Sequence, residues 1–337
     1  IVHVIGSEDV PPRYRKVEIE YSKFGVEDFD FAFYNKTEFS GLETHILNSF
    51  TSPLLQVMHY MPPIRRLAKS HITRNCPREH CLLCELGFVV RMLEDARGTN
   101  CQSSNFCKAA GFLAQSVNAI ELIDYGRESA DMDYSHMIQS FHRFFIDHLG
   151  LEGNAFPQNA FLLPSRPAVS SDTRSPAAAP ITQLLGLDGK NIITCVHCGA
   201  RREKENMTHI VDMVYPRRPQ GGENNTFEAV LRASLIREMN HKATCQTCKQ
   251  FSSFESRREI PSRDLPPILA LNANVNSEDN LDHWMDVRRQ TFLKPSVEVH
   301  GQVDGMDDPH PVMYELRSVI IKVVAKDKRS HLVAIVK

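Results

Sequence analysis

Two Cys-x2-Cys pairs, Cys195–Cys198 and Cys245–Cys248, constrain this chain more than any other feature it carries. Two sulfurs at that spacing reach one ion from a single turn, and two such turns close a tetrahedral shell of four thiolates with no position left for water. A closed shell is a structural site, so zinc is expected to fasten the two turns together. Residues 199 to 244 lie between them, more than a compact zinc ribbon uses and enough for an inserted hairpin and helix. Free thiols or disulfides are the competing reading, and an intracellular chain disfavours the disulfides.

A second cluster has a different make-up: Cys76, Cys81 and Cys84, with His71 before it and His80 inside it. Three sulfurs and one imidazole also close a tetrahedron. His71 and His80 are both candidates for the fourth ligand. His71 is preferred, because His80 adjoins Cys81 and would project away from it at the start of a helix. Cys101 and Cys107 have no partner pattern and are expected to be buried small residues.

The helical period runs through the first half. Leu82, Leu83, Leu86, Val89, Val90 and Leu93 recur at helix spacing, with Gly98 as a stop, and Met137, Ile138, Phe141, Phe144, Phe145 and Leu149 form another helix ended by Gly150. Residues 1–35 hold Pro11–Pro12 and short alternations, at Val17 to Tyr21 and at Phe29, Phe31 and Phe33, and read as an extended leader. The Pro/Ser/Ala-rich stretch 164–180 cannot bury enough apolar surface to order itself and reads as a mobile loop. Strands are expected at Ile192–Thr194, His209–Tyr215, Leu269–Leu271 and Val319–Val324, with one helix between, capped by Thr226 and carrying Glu228 in its first turn.

A net charge of −2 gives no general drive toward nucleic acid or anionic membrane, although local patches remain open. No apolar run reaches the roughly 18 residues of a membrane span, and no signal peptide is expected. Neither a Gly-rich phosphate loop nor acidic residues spaced for two magnesium ions occur, so this stretch alone is not expected to cleave RNA. The first residue is Ile1, and the last residues read as an interrupted strand, the pattern of a piece cut from a longer protein.

Gly41 to Gln56 leads from a polar loop into an apolar helical run. This geometry presents one small residue at a helix N-terminus, where cysteine hydrolases place their thiolate. Here the residue is Ser49. The stretch resembles the nucleophile box of the ubiquitin-specific proteases, with Gly41, Leu42, Leu55 and Gln56 matching its ends and Phe50 at the Tyr position. That resemblance puts Ser49 on the nucleophile position and Thr44 on the Asn of the oxyanion hole. Tyr314–Leu316 and Ser330–Lys337 resemble the family's histidine box, which makes His331 the counterpart of the catalytic histidine. Gln139 to Phe145 is similar to a third element, with Ser140 and Arg143 where the family is acidic.

Asn35 to Glu43 and Cys81-Leu82-Leu83-Cys84-Glu85-Leu86-Gly87-Phe88 resemble one branch, the hydrolase-like domain in the catalytic subunit of the Pan poly(A)-nuclease complex. The resemblance covers roughly residues 30 to 337. It implies an α+β, papain-like ubiquitin-protease fold: a helical thumb (36–190), zinc-tied β fingers (191–262) and a β palm (263–337) left incomplete at Lys337. It further implies a catalytically dead scaffold that supports a neighbouring exonuclease and contacts the complex's partner subunit. Poly(A) RNA or poly(A)-binding protein are implied as partners through the full complex, in the cytoplasm and P-bodies. Structural zinc at two sites would be this domain's own, and magnesium would belong to the nuclease domain alone.

The residues speak in the same direction. A serine hydroxyl is far harder to ionise than a thiol of pKa about 8.5, and losing one oxyanion donor costs about 100-fold or more. The third triad member would lie beyond Lys337. An active serine-variant ubiquitin protease and a ubiquitin-binding module are the alternatives. Taken singly, Ser49 is a helix cap and His331 a strand histidine; their place in two separate boxes is what raises them.

Overall fold

The computed structural model describes residues 2–5, 16–19, 36–43, 50–73, 75–117, 134–153, 179–216, 226–275, 277–285, 292–324 and 330–337. The leader contributes an antiparallel pair, β1 (Val2–Ile5) with β2 (Lys16–Ile19). The alternation at Phe29, Phe31 and Phe33 falls outside the described residues, as does loop 164–180 up to residue 178. The last residue of that stretch, Pro180, opens a helix instead of closing a loop.

The helical half is built from α1 (Thr51–Tyr60), α2 (Pro62–Ile72), α3 (Leu82–Asp95), α4 (Ser104–Ser116), α5 (Tyr134–Gly153) and α6 (Pro180–Leu185). Proline opens both α2 and α6, where its fixed φ suits a helix start and its missing N–H is not needed. Helix α3 buries Leu82, Leu83, Leu86, Val89, Val90 and Leu93 as one stripe. Gly87 lets it approach α2: a Cβ there would lie 2.6 Å from the Ala68 carbonyl oxygen. Phe50, Phe106, Phe141 and Phe145 are fully buried at the centre. Phe50 meets Phe141 edge-on at 5.2 Å, and Phe106 meets Phe145 at 5.3 Å.

Helix α5 does not stop at Gly150 but continues to Gly153. The reason is tertiary. Glu152, in the added turn, is buried and accepts hydrogen bonds from the first backbone N–H groups of α3, which holds the end of α5 in place.

Beyond α6 an antiparallel sheet takes over in the order β6-β5-β9-β8, from β5 (Leu187–Cys195), β6 (Arg201–Thr208), β8 (Met239–Thr244) and β9 (Phe251–Glu259). Helix α7 (Phe227–Ile236) packs on β9, and the Thr226 hydroxyl accepts from Ala229 N at 3.2 Å as its cap. The strand expected at His209–Tyr215 shrinks to β7 (Val211–Asp212), and the one at Leu269–Leu271 to β10 (Leu271–Asn272); these two pair in parallel. Ile210, Val211 and Met213 are all buried, so apolar character here follows enclosure and not strand alternation.

The last region holds α8 (Glu278–Met285), the pairs β11 (Ser296–Val299) with β14 (Val312–Glu315) and β12 (Gln302–Val303) with β13 (Met306–Asp307), and the hairpin β15 (Ser318–Val324) with β16 (Ser330–Val336). Ile320 and Leu332 on one face of that hairpin pack into the helical core, while Ile321, Val323, Val333 and Ile335 on the other are exposed. No described helix is long and apolar enough to cross a membrane.

Candidate metal centres and the degenerate hydrolase site

The first cysteine quartet sits at the far end of the four-stranded sheet. Cys195 ends β5 and Cys245 follows β8, and each opens the same turn. Gly199 N donates to Cys195 O and Lys249 N to Cys245 O, both at 2.9 Å, while Cys195 N and Cys245 N donate to Ala200 O and Gln250 O. Both turns need a residue at positive φ. The first supplies Gly199 at 69° and the second Lys249 at 58°.

The four sulfurs lie within 4.8 Å of one another. Cys198 Sγ and Cys245 Sγ are 3.7 Å apart. Tetrahedral thiolates with a Zn–S bond of about 2.3 Å stand about 3.8 Å apart, whereas a disulfide needs about 2.05 Å. Backbone N–H groups of Cys248 and Thr247 aim at the Cys245 sulfur and hold its thiol down to about 6, and the Cys198 N–H does the same in direction for Cys195. The Ala200 N–H acts the same way on Cys198, but burial and hydrogen bonds with the neighbouring sulfurs outweigh it and raise that thiol to about 11, so the thiolate a metal requires is favoured at Cys195 and Cys245.

The second quartet joins three elements of the helical half. His71 lies in the last turn of α2, Cys76 in the following loop, Cys81 at the N-cap of α3 and Cys84 in its first turn. Their ligand atoms also fall within 4.8 Å of one another, with Cys81 Sγ 3.3 Å from His71 Nε2. A shared zinc ion would set that pair about 3.6 Å apart. His80 is outside the quartet and its ring lies against Phe112, tilted by 37° with ring centroids 3.9 Å apart. Burial pushes the Cys81 thiol up, and that of Cys84 to about 11. Sulfurs in such a setting give up their protons to a metal and not to water. Both quartets therefore fit a structural zinc ion by donor set and spacing.

Glu152 braces the second quartet. Its carboxylate oxygens accept from Leu82 N and Leu83 N, each at 2.8 Å, which caps the helix that carries Cys81 and Cys84. No local pattern announces it, since it acts on residues about seventy positions earlier. Cys107 is buried, with its sulfur 3.5 Å from the Thr51 hydroxyl, and burial raises its thiol. Cys101 is only half-buried, contrary to the expectation, because its S–H reaches out to the Met92 carbonyl at the end of α3.

Of the positions that the resemblance matches to the family's catalytic residues, Thr44 and Ser49 lie outside the described residues. Described elements flank them on either side. Gly41–Leu42, at the start of the nucleophile box, forms β3 and pairs in parallel with β4 (Asn100–Cys101). Helix α1 begins at Thr51 and packs against β16, the strand that carries His331, which pairs with Val323. The two boxes thus occupy adjoining elements.

Across from them, α5 is clamped to the β7–β10 pair. Arg143 Nη2 donates to both carboxylate oxygens of Asp212, at 2.8 and 2.9 Å. Asn272 donates to Asp212 and accepts from His142 Nδ1 at 3.3 Å. Gln139 accepts from Asn274 N. Burial holds the His142 imidazole down to about 4. Sequence patterning exposes Arg143 as a departure from the acidic family element; its partner is a matter of tertiary structure.

A model of the ubiquitin carboxyl-terminal hydrolase family matches residues 40–337. The PAN2-PAN3 deadenylation complex catalytic subunit PAN2 of Cryptococcus neoformans var. neoformans serotype D is 40% identical over 352 residues, covering 99% of this chain and 29% of that protein. The Homo sapiens protein of the same name is 34% identical over 309 residues, covering 88% of this chain and 25% of that protein. The chain thus spans less than a third of the length of these curated relatives. Among solved structures, the Neurospora crassa Pan2 catalytic unit, described as its protease and nuclease domain, superposes with a TM-score of 0.76 at 29% identity, over 97% of this chain and 53% of that one. The Saccharomyces cerevisiae PAN2 pseudoubiquitin-hydrolase gives a TM-score of 0.60 at 18% identity, over 98% of this chain and 82% of that one, a likeness of fold.

Proposed function

The chain belongs to the ubiquitin carboxyl-terminal hydrolase family, and on that premise we propose that it is a non-catalytic scaffold domain within the catalytic subunit of a PAN2-PAN3-type deadenylation complex. One observation carries the reading. The family model spans residues 40–337, the sequence resemblance puts Ser49 on the family's nucleophile position, and relatives matched over 88–99% of the chain bear the deadenylation subunit's name. A hydroxyl there needs a strong, well-placed base and a full set of oxyanion donors. Thr44 stands where the family supplies one such donor. Two structural zinc ions would keep the body rigid, the first binding the tip of the sheet and the second binding α2 to α3. Magnesium enters only through the parent's nuclease domain.

The scaffold acts by holding the exonuclease and the partner subunit in register, and we place it with the parent complex in the cytoplasm and P-bodies. The test compares poly(A) shortening by the intact subunit, by the subunit with residues 36–337 removed, and by this chain alone. The reading expects activity from the first, loss from the second and none from the third. Magnesium-dependent deadenylation by the chain alone, or full activity without the domain, would refute it.

A further inference from the structure

Side chains alternate across a strand, so the register of the four-stranded sheet sorts its charges onto two faces. Arg202, Ile193, Ser256 and Met239 form one row across β6-β5-β9-β8, Lys204, Asn191 and Arg258 another, and Cys195, Phe254 and His241 a third, all on the same face. The carboxylates of these strands, Asp188, Glu203, Glu205, Glu255 and Glu259, all fall on the opposite face. Two of them form ion pairs there: Glu203 with Arg201 at 3.2 Å and with Lys190 at 3.9 Å, and Glu259 with Arg257 at 2.8 Å. The β12–β13 turn lies against that face too, with Asp304 N donating to Glu259. One side of the sheet carries both signs of charge, and the inner ends of both sides are covered, with Glu259 8% exposed on one and Leu187 and Arg258 1% and 5% exposed on the other. The other carries cations only.

The cationic face has the further features of a platform. Arg202, Lys204 and His241 are exposed, and Met239 is 54% exposed. The His241 ring stacks on Phe254 with centroids 5.5 Å apart and planes 14° apart. Phe254 packs in turn on Cys195 and Cys245, so the metal turns support the ring from below. At the inner end lies Arg258, only 5% exposed, with Nε and Nη1 making no hydrogen bond. Its stem occupies the space left by Gly189, where a Cβ would come within 3.0 Å of Arg258 Cγ and Cδ. Its guanidinium is buried within reach of the Arg237 and Asp212 charges, so it anchors the inner end of the face and leaves the exposed positive charge to Arg202 and Lys204.

We propose that this face of the sheet is a docking surface for single-stranded nucleic acid, with Arg202 and Lys204 meeting phosphates and the His241 ring, backed by Phe254, stacking a base. An acidic protein segment would use the charges but has no need of an exposed, supported ring. Single strands use both, because every base has a π-face and every nucleotide a phosphate. The surface does not depend on membership of a deadenylation complex, and it reconciles a near-neutral chain with a polyanionic partner.

The test uses the whole 337-residue chain with its metals and short labelled oligoadenylate and oligouridylate, read by fluorescence anisotropy over a salt series. Replacing Arg202 and Lys204 together by Ser should weaken binding about tenfold or more and lower the salt slope by about 1.4, the share of two phosphate contacts on a single strand. His241→Ala should weaken binding about fivefold or more with the slope unchanged, since stacking releases no counterions. Replacing Lys190 and Arg201 on the opposite face should leave affinity within about twofold, the scatter expected when no contact is lost. Circular dichroism and metal content matching the parent chain establish that each exposed variant is folded. Absence of RNA binding at low salt, equal losses from the two faces, or face-dependent binding of polyglutamate without binding of RNA would overturn the proposal.

Discussion

Acidification should reveal His142 as a group the fold keeps neutral. Its imidazole lies between α5 and the β7–β10 pair, donates to Asn272 Oδ1 at 3.3 Å and is held down to about 4 from an ordinary 6.5, chiefly by burial. The Asn272 bond and Asp212 act in the opposite direction, and the Arg143 guanidinium reinforces the depression. A depressed histidine contributes stability that is whole above its unfolded pKa and is lost as the pH falls toward the folded one. For this pair of values the loss is about 2 kcal/mol between pH 7 and pH 5, and about 3 kcal/mol if the series reaches pH 4.

Other groups titrate in the same range, metal ligands among them, so the measurement is a difference. Urea unfolding of the chain and of His142→Gln would be followed at fixed zinc across this window. The variant keeps an amide donor for Asn272 and has no proton to gain. The stability gap between the two proteins should narrow by about 2 kcal/mol on going from pH 7 to pH 5. A gap that stays constant with pH would show that His142 titrates normally and that the α5 clamp does not exclude water.

The two candidate metal centres should fail differently. Cys84→Ser removes a ligand that packs against the large helical core and should lower the global thermal midpoint, whereas Cys198→Ser should release hydrogen-exchange protection in the small cluster around Phe254 and leave the helices protected. Glu152→Ala strips two buried N–H groups of α3 of their acceptor, so it should cost about 2 kcal/mol or more and weaken zinc retention at the second quartet, read by a chelator competition. Gly87→Ala drives a Cβ to 2.5 Å from Ile72 Cγ2 and 2.6 Å from a backbone oxygen, a cost of about 1–3 kcal/mol in urea unfolding as α2 and α3 are forced apart.

What the sequence could disclose was whatever acts locally. Cysteine spacing is such a signal, because each Cys-x2-Cys turn is made by its own backbone hydrogen bonds, and so is the Thr226 cap three residues from its donor. The choice between His71 and His80 rests on helix geometry, which is also local. Glu152, Asp212 and Arg258 are different. Each owes its role to a partner brought near only by the finished fold, and Gly150 misled for that reason: a helix stop was overridden by a carboxylate needed one turn further on. The segregation of charge between the faces of the sheet sat midway. Alternation along each strand is visible in the chain, but the register that aligns four strands is not.

A scaffold role for this domain requires that the Ser49 frame perform no hydrolysis. Fluorogenic ubiquitin offered to this chain and to a form extended past Lys337 measures it. The account predicts no release of fluorophore above the rate without protein for either. Turnover that disappears in Ser49→Ala would contradict it and make the domain a working hydrolase.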